Sequence, residues 1–454
     1  MGEITRKKSN ITDLTKGNAL KVILLFALPI YLSNILQQFY NLADVAIIGN
    51  TLGDDALSAI GSVSPIFGLF NSLLFGMSQG FSLVVAKHFG ARDVKKLKVA
   101  VANTLFIGIA WASVITITGF LTLKPIMHRL NIEDSLFDTA YSYISLLILL
   151  VIFSFSYNVL SGLLRAIGDS RTPLYILFIA VVLNICLDLL FIRIYGLGLR
   201  GAAYATALSQ AVSALITLLY IIFRVPELHI SKEDMVFSKS IMMDLFTSGI
   251  AFALMFTVVN FGTLILQGAI NGLGKDIIAA HTTARKISEL CMMMVGTLAT
   301  AMATFAGQNY GAGRYDRVKE GLRKTMFFSF GLDVLLILMI YTLGPLMVKG
   351  ISGSGNPEVI DNAVFYLKVD LPFYFVLSVI LITRNTLQGI GGRFVPIIAS
   401  AMELILKIYT AKILAVHLGY LGIAICEPAI WVVCAIFIII AFVLRIRKLE
   451  KDQV

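Results

Sequence analysis

Twelve apolar windows, each long enough to cross about 30 Å of hydrocarbon, begin near residues 20, 57, 98, 140, 172, 201, 243, 277, 325, 363, 395 and 421. A soluble domain carries about 25% charged residues. This chain carries 14%, against 58% hydrophobic. A soluble protein so apolar could not cover its surface with polar groups, so the solvent for most of it must be lipid. The expected fold is all-α, a polytopic membrane protein of twelve transmembrane helices.

In a soluble protein a net charge of +10 would suggest a nucleic-acid partner. Here the basic residues follow alternate loops. One side collects Arg6, Lys7 and Lys8, then Lys87, Arg92, Lys95, Lys96 and Lys98, then Arg165 and Arg171. It continues with Arg224, Lys232 and Lys239, then Arg314, Arg317, Lys319, Arg323 and Lys324, then Arg393, and ends with Arg445, Arg447 and Lys448. The opposite loops are poor in basic residues and hold acids such as Asp54, Asp55, Glu133 and Asp134. The positive-inside rule then puts both termini in the cytoplasm, with the bilayer as partner and no nucleic acid. The basic start runs into an apolar stretch too long for a cleavable signal, so the first helix is expected to stay in the membrane. Cys186, Cys291, Cys426 and Cys434 lie in apolar runs without ligand or disulfide spacing. The histidines, His281 among them, likewise lack metal-ligand spacing.

The polar stretch 224–240 divides the chain nearly in half, and the halves resemble each other. LGDDALSAIG (52–61) reads against LGKDIIAAHT (273–282), and AKHFGARDVKKLK (86–98) against GQNYGAGRYDRVK (307–319). LLRAIGDSRTPLYI (163–176) reads against TLQGIGGRFVPIIA (386–399), and LGLRGAAYAT (197–206) against HLGYLGIAIC (417–426). All four keep one order and a shift of about 221–223 residues. The chain is expected as a tandem repeat: a cytoplasmic segment 1–18, an N-lobe 19–223, a linker 224–240, a C-lobe 241–446 and a tail 447–454. Six spans per repeat give both halves one membrane orientation, as in parallel-repeat transporters that rock one lobe against the other.

An ionisable group near the bilayer centre costs at least ~2.5–3.5 kcal/mol, so each calls for a reason. On the first helix Asn34, Gln37, Gln38, Asn41 and Asp44 recur every three or four residues and share a face, with Tyr40 one turn before Asp44. Pro29, one turn ahead of the stripe, loosens the helix where its N–H is missing. The fifth helix adds Asn184 and Asp188 at i, i+4; the sixth adds Thr206 and Gln210; the fourth adds Ser154, Asn158 and Ser161. Carboxylate, amide and hydroxyl oxygens suit Na⁺ or a shared proton. Asp44 and Asp188 are therefore the coupling candidates, with Asn34, Gln37, Tyr40, Asn41, Asn158 and Gln210 as cleft supports.

The second repeat lacks this acidic site: Asp44 aligns with Ile265, and Asn184 and Asp188 with Lys407 and Ala411. Its intramembrane charges are Arg285 with Glu289 and Glu403 with Lys407, both i, i+4 pairs expected to neutralise each other, and Glu427, which has no partner in sequence. The seventh helix keeps a stripe of Thr257, Asn260, Thr263, Gln267 and Asn271. Asn260, Gln267, Glu289, Glu403, Lys407 and Glu427 are thus the C-lobe cleft candidates. Met292, Met293 and Met294, with Met302 beyond, suit a promiscuous apolar wall, although three consecutive residues cannot share one helical face.

YNLADVAIIGNTLGDDALSAIG (40–61), LLRAIGDSRTPL (163–174), NICLDLLFI (184–192), GAAYATALSQ (201–210) and FAGQNYGAGRYDRV (305–318) resemble segments of the multidrug and toxic compound extrusion family, and the resemblance runs from about residue 15 to 445. It implies twelve helices in two pseudo-symmetric six-helix lobes forming a V-shaped cleft. It also implies export of organic, often cationic, compounds in exchange for H⁺ or Na⁺ without a cofactor, by a bacterial inner-membrane protein expected to be a monomer. In the branch with an N-lobe cation site, the family's residues fall on Asp44, Asn184, Asp188 and Thr206, where Na⁺ could bind. Bending of the first helix near Pro29 is a proposal within the family. Members with a C-lobe cation site carry an acid on the seventh helix, and this chain has none from Ile250 to Asn271. The nearest alternative is a lipid-linked oligosaccharide flippase of the same superfamily, which twelve helices and an acidic site count against. Asn184-x-x-x-Asp188 is faintly like a prenyltransferase motif, but that chemistry needs two acid-rich sites. A channel fits a duplicated rocking architecture less well than an exchanger does.

Overall fold

The computed structural model describes residues 10–353 and 355–451, so Arg6, Lys7 and Lys8 of the basic series lie outside the described residues. The described chain is helical, with no strand. The first half contains α1 (Ala19–Leu52), α2 (Asp54–Gly90), α3 (Val94–Arg129), α4 (Asp134–Leu149), α5 (Val151–Ala166), α6 (Arg171–Asp188) and α7 (Leu199–Arg224). The second contains α8 (Lys239–Ile270), α9 (Lys275–Gly311), α10 (Tyr315–Ser352), α11 (Pro357–Asp370), α12 (Tyr374–Gly389) and α13 (Phe394–Lys451), which breaks at Gly419. With α11 and α12 counted as one span and α13 as two across its break, eleven helical spans among the described residues are long and apolar enough to cross a membrane, and twelve when α4 and α5, bent by 42° at their junction, count as one. The expected all-α polytopic architecture is therefore observed.

The repeat is written into the backbone as well as the side chains. Left-handed residues at helix junctions recur at a shift of 221–223: Gly53 with Gly274, Arg92 with Gly313, Asn131 with Gly353, Gly168 with Gly391, and Gly198 with Gly419. Each stops one helix and redirects the chain, which glycine does without a Cβ clash. Arg92 fills such a position without being glycine, at φ 55°. Its ion pair with Asp13, an exposed contact at 3.7 Å, is of little energetic weight. Arg92→Gly, the residue the second repeat uses, is expected to raise stability by up to about 1 kcal/mol, read as a higher Tm in detergent.

Packing divides the chain differently from the repeat. Among the described residues, one compact unit comprises 10–13 and 28–253; the other comprises 14–27 and the chain from 254 on. The repeats meet in the segment 224–240, but the packing boundaries fall inside α1 and α8. Each repeat thus lends the start of its first helix to the other unit. In α1 the change comes between Ala27 and Leu28, beside Pro29, whose carbonyl accepts the Ser33 hydroxyl at 2.9 Å.

Side chains explain both exchanges. In the first unit, Gly76 and Gly80 of α2 meet Gly249 and Ala253 of α8 so closely that a Cβ at Gly80 would lie 2.3 Å from the Gly249 nitrogen. Small residues one turn apart permit this backbone approach where lipid offers helices no hydrophobic drive to associate. Gly80→Val is expected to cost about 3 kcal/mol or more and to collapse the monodisperse peak on size exclusion. Gly68→Val, on the same helix with open space around it, should not. In the second unit, the Arg317 guanidinium donates to the carbonyls of Leu14, Lys16 and Gly17 at 3.3, 3.3 and 2.8 Å. Asn309 Nδ2 donates to the Leu14 carbonyl at 3.2 Å, and Gln308 Oε1 accepts the Leu14 N–H at 3.2 Å. The turn before α1 thereby has its backbone groups satisfied without a helix of its own.

The segment 224–240 is ordered by local hydrogen bonds. Ser231 and Asp234 form a capping box, and the Ser231 backbone N–H, followed by its hydroxyl, holds the exposed Asp234 carboxyl below the usual range. Asn103 Nδ2 of α3 donates to the Val236 carbonyl at 3.0 Å.

Candidate functional site

In the first unit the polar stripe of α1 is graded. Tyr40 is buried, Asn34, Gln37 and Asp44 are half-buried, and Gln38 and Asn41 are exposed. Gln37 Nε2 lies 3.5 Å from Asn41 Oδ1, one turn on. Tyr40 reaches α7, donating its hydroxyl to Thr206 Oγ1 at 3.3 Å. From Thr206 a ladder of hydroxyls follows α7: Ser209, Ser213 and Thr217 bond to the carbonyls of Thr206, Ser209 and Ser213 at 2.9, 2.7 and 2.7 Å. Gln210 is buried on the same helix, and Asn158 of α5 is half-buried.

The third wall is the end of α6. Asn184 and Asp188, one turn apart, are both 0% exposed. The α-helix ends at Asp188, and Leu189–Ile194 continue as a wider π-turn. The Leu189 N–H at that junction is shared between the Ile185 and Cys186 carbonyls. Such π segments are found disproportionately at functional positions. Asp44 and Asp188 lie in each other's field, and Tyr143 of α4 sits in the field of both carboxyls.

Most buried polar atoms find partners. Here Asp44 Oδ1, both polar atoms of the Asn184 side chain and both carboxylate oxygens of Asp188 are buried without one. Four of these five atoms, on α1 and α6, are oxygens that accept and would gain bonds from something positive; the fifth, Asn184 Nδ2, is a donor. Two carboxylates in contact can only accept; a proton or a small cation between them converts repulsion into attraction. Among the described residues no set of three or more His, Cys, Asp or Glu side chains gathers, so the site's donors are two carboxylates, an amide and the Tyr40–Thr206 hydroxyls.

The second unit holds a different arrangement, and two expectations are corrected. Glu427, 4% exposed, is clamped by Arg285 Nη1 at 2.7 Å and by Lys407 Nζ at 2.7 Å. Arg285 turns to Glu427, 142 residues away, and not to Glu289, which is exposed. Glu403 has its ion pair with Arg384 at 3.7 Å, while Lys407 takes Glu427 as partner. Local i, i+4 pairs lose because a buried glutamate with no counter-charge would be far costlier than an unpaired exposed one. The Lys407 stem lies over Gly262 of α8, where a Cβ would come within 3.0 Å of it. Asn260 is exposed and Gln267 half-buried, with Gln267 Nε2 donating to Asn271 Oδ1 at 2.9 Å. Met292, Met293 and Met294 are half-buried and Met302 fully buried.

Asp333, Asp370 and Arg384, all buried, escaped the sequence reading. Asp333 and Arg384 are lone charges in the apolar runs FGLDVLL and LITRNTL, and Asp370 stands two residues after Lys368 in YLKVDLPF; a charge in an apolar run is the signal that marks intramembrane function. Asp370 accepts from Ser288 Oγ at 3.3 Å, and the Ser288 carbonyl accepts the Tyr374 hydroxyl at 3.2 Å.

The MatE family model matches residues 29–190 and again residues 251–413, two copies at the shift of the internal repeat. A probable multidrug resistance protein of Bacillus subtilis, YpnP, is 27% identical over 426 residues, covering 91% of this chain and 92% of its own length. A probable multidrug resistance protein of Thermotoga maritima, NorM, is 26% identical over 402 residues, covering 87% of this chain and 84% of its own. A crystal structure of MATE in the bent conformation shares the fold, with a TM-score of 0.90 at 24% identity over 97% of this chain and 98% of that one. Two copies of one family unit, on a shared fold of membrane-spanning helices, identify the chain as a member of the MatE family, the multidrug and toxic compound extrusion transporters, and so as a transporter and not an enzyme.

Proposed function

We propose that this protein exports organic, often cationic, compounds across a bacterial inner membrane in exchange for H⁺ or Na⁺, with both termini in the cytoplasm. The coupling ion binds at Asp44 and Asp188, with Asn184 and Thr206 completing the site. The observation that carries this reading is the group of five unpartnered buried polar atoms where α1 meets α6. The names of the relatives, multidrug resistance proteins, support the class of cargo.

The chemistry follows from charge. With a proton or sodium ion present, the two carboxyls attract a common partner and α1 is held against α6. When the ion leaves, two buried anions face each other across a medium of low dielectric, and their repulsion favours an arrangement that separates or hydrates them. The Tyr40–Thr206 hydrogen bond ties this change to α7, and Pro29 provides a weak point in α1. An organic cation that binds better to the ion-free state drives the ion out, and the ion drives out the cation by the same factor. The transported charge thus needs no dedicated counter-ion in the protein.

The test is efflux of a fluorescent organic cation from proteoliposomes under an imposed proton gradient and, separately, an imposed sodium gradient. Efflux driven by one gradient names the coupling ion. No movement under either, with lipid-linked sugars flipped instead, would overturn the reading.

A further inference from the structure

Three buried or half-buried acids in the second unit lie near a positive charge. Glu427 has Arg285 and Lys407, Glu403 has Arg384, and Asp370 lies in the field of Arg285 and Lys407. Asp333 does not. It sits halfway along α10 and is 0% exposed. Oδ2 accepts the Ser378 hydroxyl of α12 at 2.8 Å, and Ser378 Oγ lies 2.9 Å from Ser329 Oγ, one turn before Asp333 on α10. Both serines are also 0% exposed. Oδ1 is buried with no hydrogen-bond partner. Among the described residues, no charged side chain on α9, α11, α12 or α13, the helices packed against α10, acts on it; the side chain that does is Ser378.

A carboxylate so enclosed, with one donor and no counter-charge, is unfavourable by several kcal/mol. The arrangement is completed by one positive charge. Two serine hydroxyls can each turn either a proton or a lone pair toward a guest, and with the carboxylate that Ser378 bonds they supply hard oxygens between α10 and α12. Simple interhelical adhesion by serine needs no carboxylate.

We propose that Asp333, with Ser329 and Ser378, forms a monovalent-cation site in the second unit, distinct from the Asp44–Asp188 pair, that takes up and releases one proton or sodium ion. The site does not depend on the coupling role given to the first unit, and its test is a binding measurement and not transport.

Infrared difference spectra of the reconstituted Asp44→Asn/Asp188→Asn protein, which silences the first pair, would be recorded across a pH series and a sodium series, with and without Asp333→Asn. The expected result is a protonated-carboxyl band that Asp333→Asn removes. A band lost on raising pH but unmoved by sodium identifies the ion as a proton; one displaced by sodium identifies sodium. A band that neither series moves marks a permanently neutral structural acid and overturns the proposal, as does the absence of any response. Should Asp333→Asn fail to fold, Ser378→Ala serves in its place. Removing the hydroxyl is expected to shift the midpoint by about tenfold or more in ion concentration, and an unchanged midpoint contradicts the site.

Discussion

Asp188→Asn is expected to leave the protein folded and monodisperse while gradient-driven transport falls to the level of empty liposomes. The side chain is fully buried and neither of its carboxylate oxygens has a donor, so replacing one oxygen by an isosteric NH₂ removes charge without removing a structural bond. It removes a site for the coupling ion, and with it the competition between ion and substrate. A coupling free energy of ~1–3 kcal/mol corresponds to a 5–150-fold change in substrate affinity between ion-loaded and ion-free protein. In Asp188→Asn that ratio should approach one, with substrate still bound. Asp44→Asn is expected to behave alike, because the two carboxyls share one guest. Asn184→Ala keeps both carboxylates and loses only a neutral ligand, so its effect should be smaller, about tenfold in ion affinity. Binding titrations of a fluorescent substrate, with and without sodium and at two pH values, separate these variants.

Glu427→Gln is expected to have the largest effect on stability. The substitution leaves Arg285 and Lys407, both contacting Glu427 at 2.7 Å, facing each other in the interior with no anion between them. Breaking a buried pair from one side costs about 3–5 kcal/mol, and here two cations lose the same partner. The variant should lose most of its folded yield in detergent. Replacing all three members together, as Arg285→Met, Lys407→Met and Glu427→Leu, should recover it, because an apolar trio of similar size carries no desolvation penalty. Recovery of stability without recovery of transport would assign the triad a role in the cycle. Recovery of both would mark it as scaffold. A low yield for the triple variant and a normal yield for Glu427→Gln would contradict the ion-pair geometry.

The two sites were unequally visible in the sequence, for a physical reason. The stripe from Asn34 to Asp44 and the pair Asn184–Asp188 each lie on one helical face, and helical periodicity is a local signal that survives without coordinates. That these two faces meet followed from the resemblance and from the rule that buried polar groups need company. The tandem repeat was legible because its Gly and Pro positions fix junctions, and the left-handed backbone at Gly53 and Gly274, or Gly198 and Gly419, is where those junctions turn. The Glu427 triad was not legible. Its members come from α9 and from either side of the break in α13, and local spacing pointed to nearer partners that the fold does not use. Asp333 and Asp370 were lost for another reason, since a lone acid leaves no periodic pattern. The exchange of helix starts between packing units rests on close contacts such as Gly80 with Gly249, which no local pattern announces.

The most direct measurement of the proposed exchange is ion release on substrate binding. Purified protein in weakly buffered detergent solution with a pH dye, or in sodium-containing solution with a sodium-sensitive dye, would receive a saturating organic cation. If Asp44 and Asp188 hold the coupling ion, each binding event should release protons or sodium ions, and neither Asp44→Asn nor Asp188→Asn should do so while still binding. Substrate that binds wild-type protein and releases neither ion, or releases the same amount from both variants, would show that the Asp44–Asp188 pair does not couple ion to cargo.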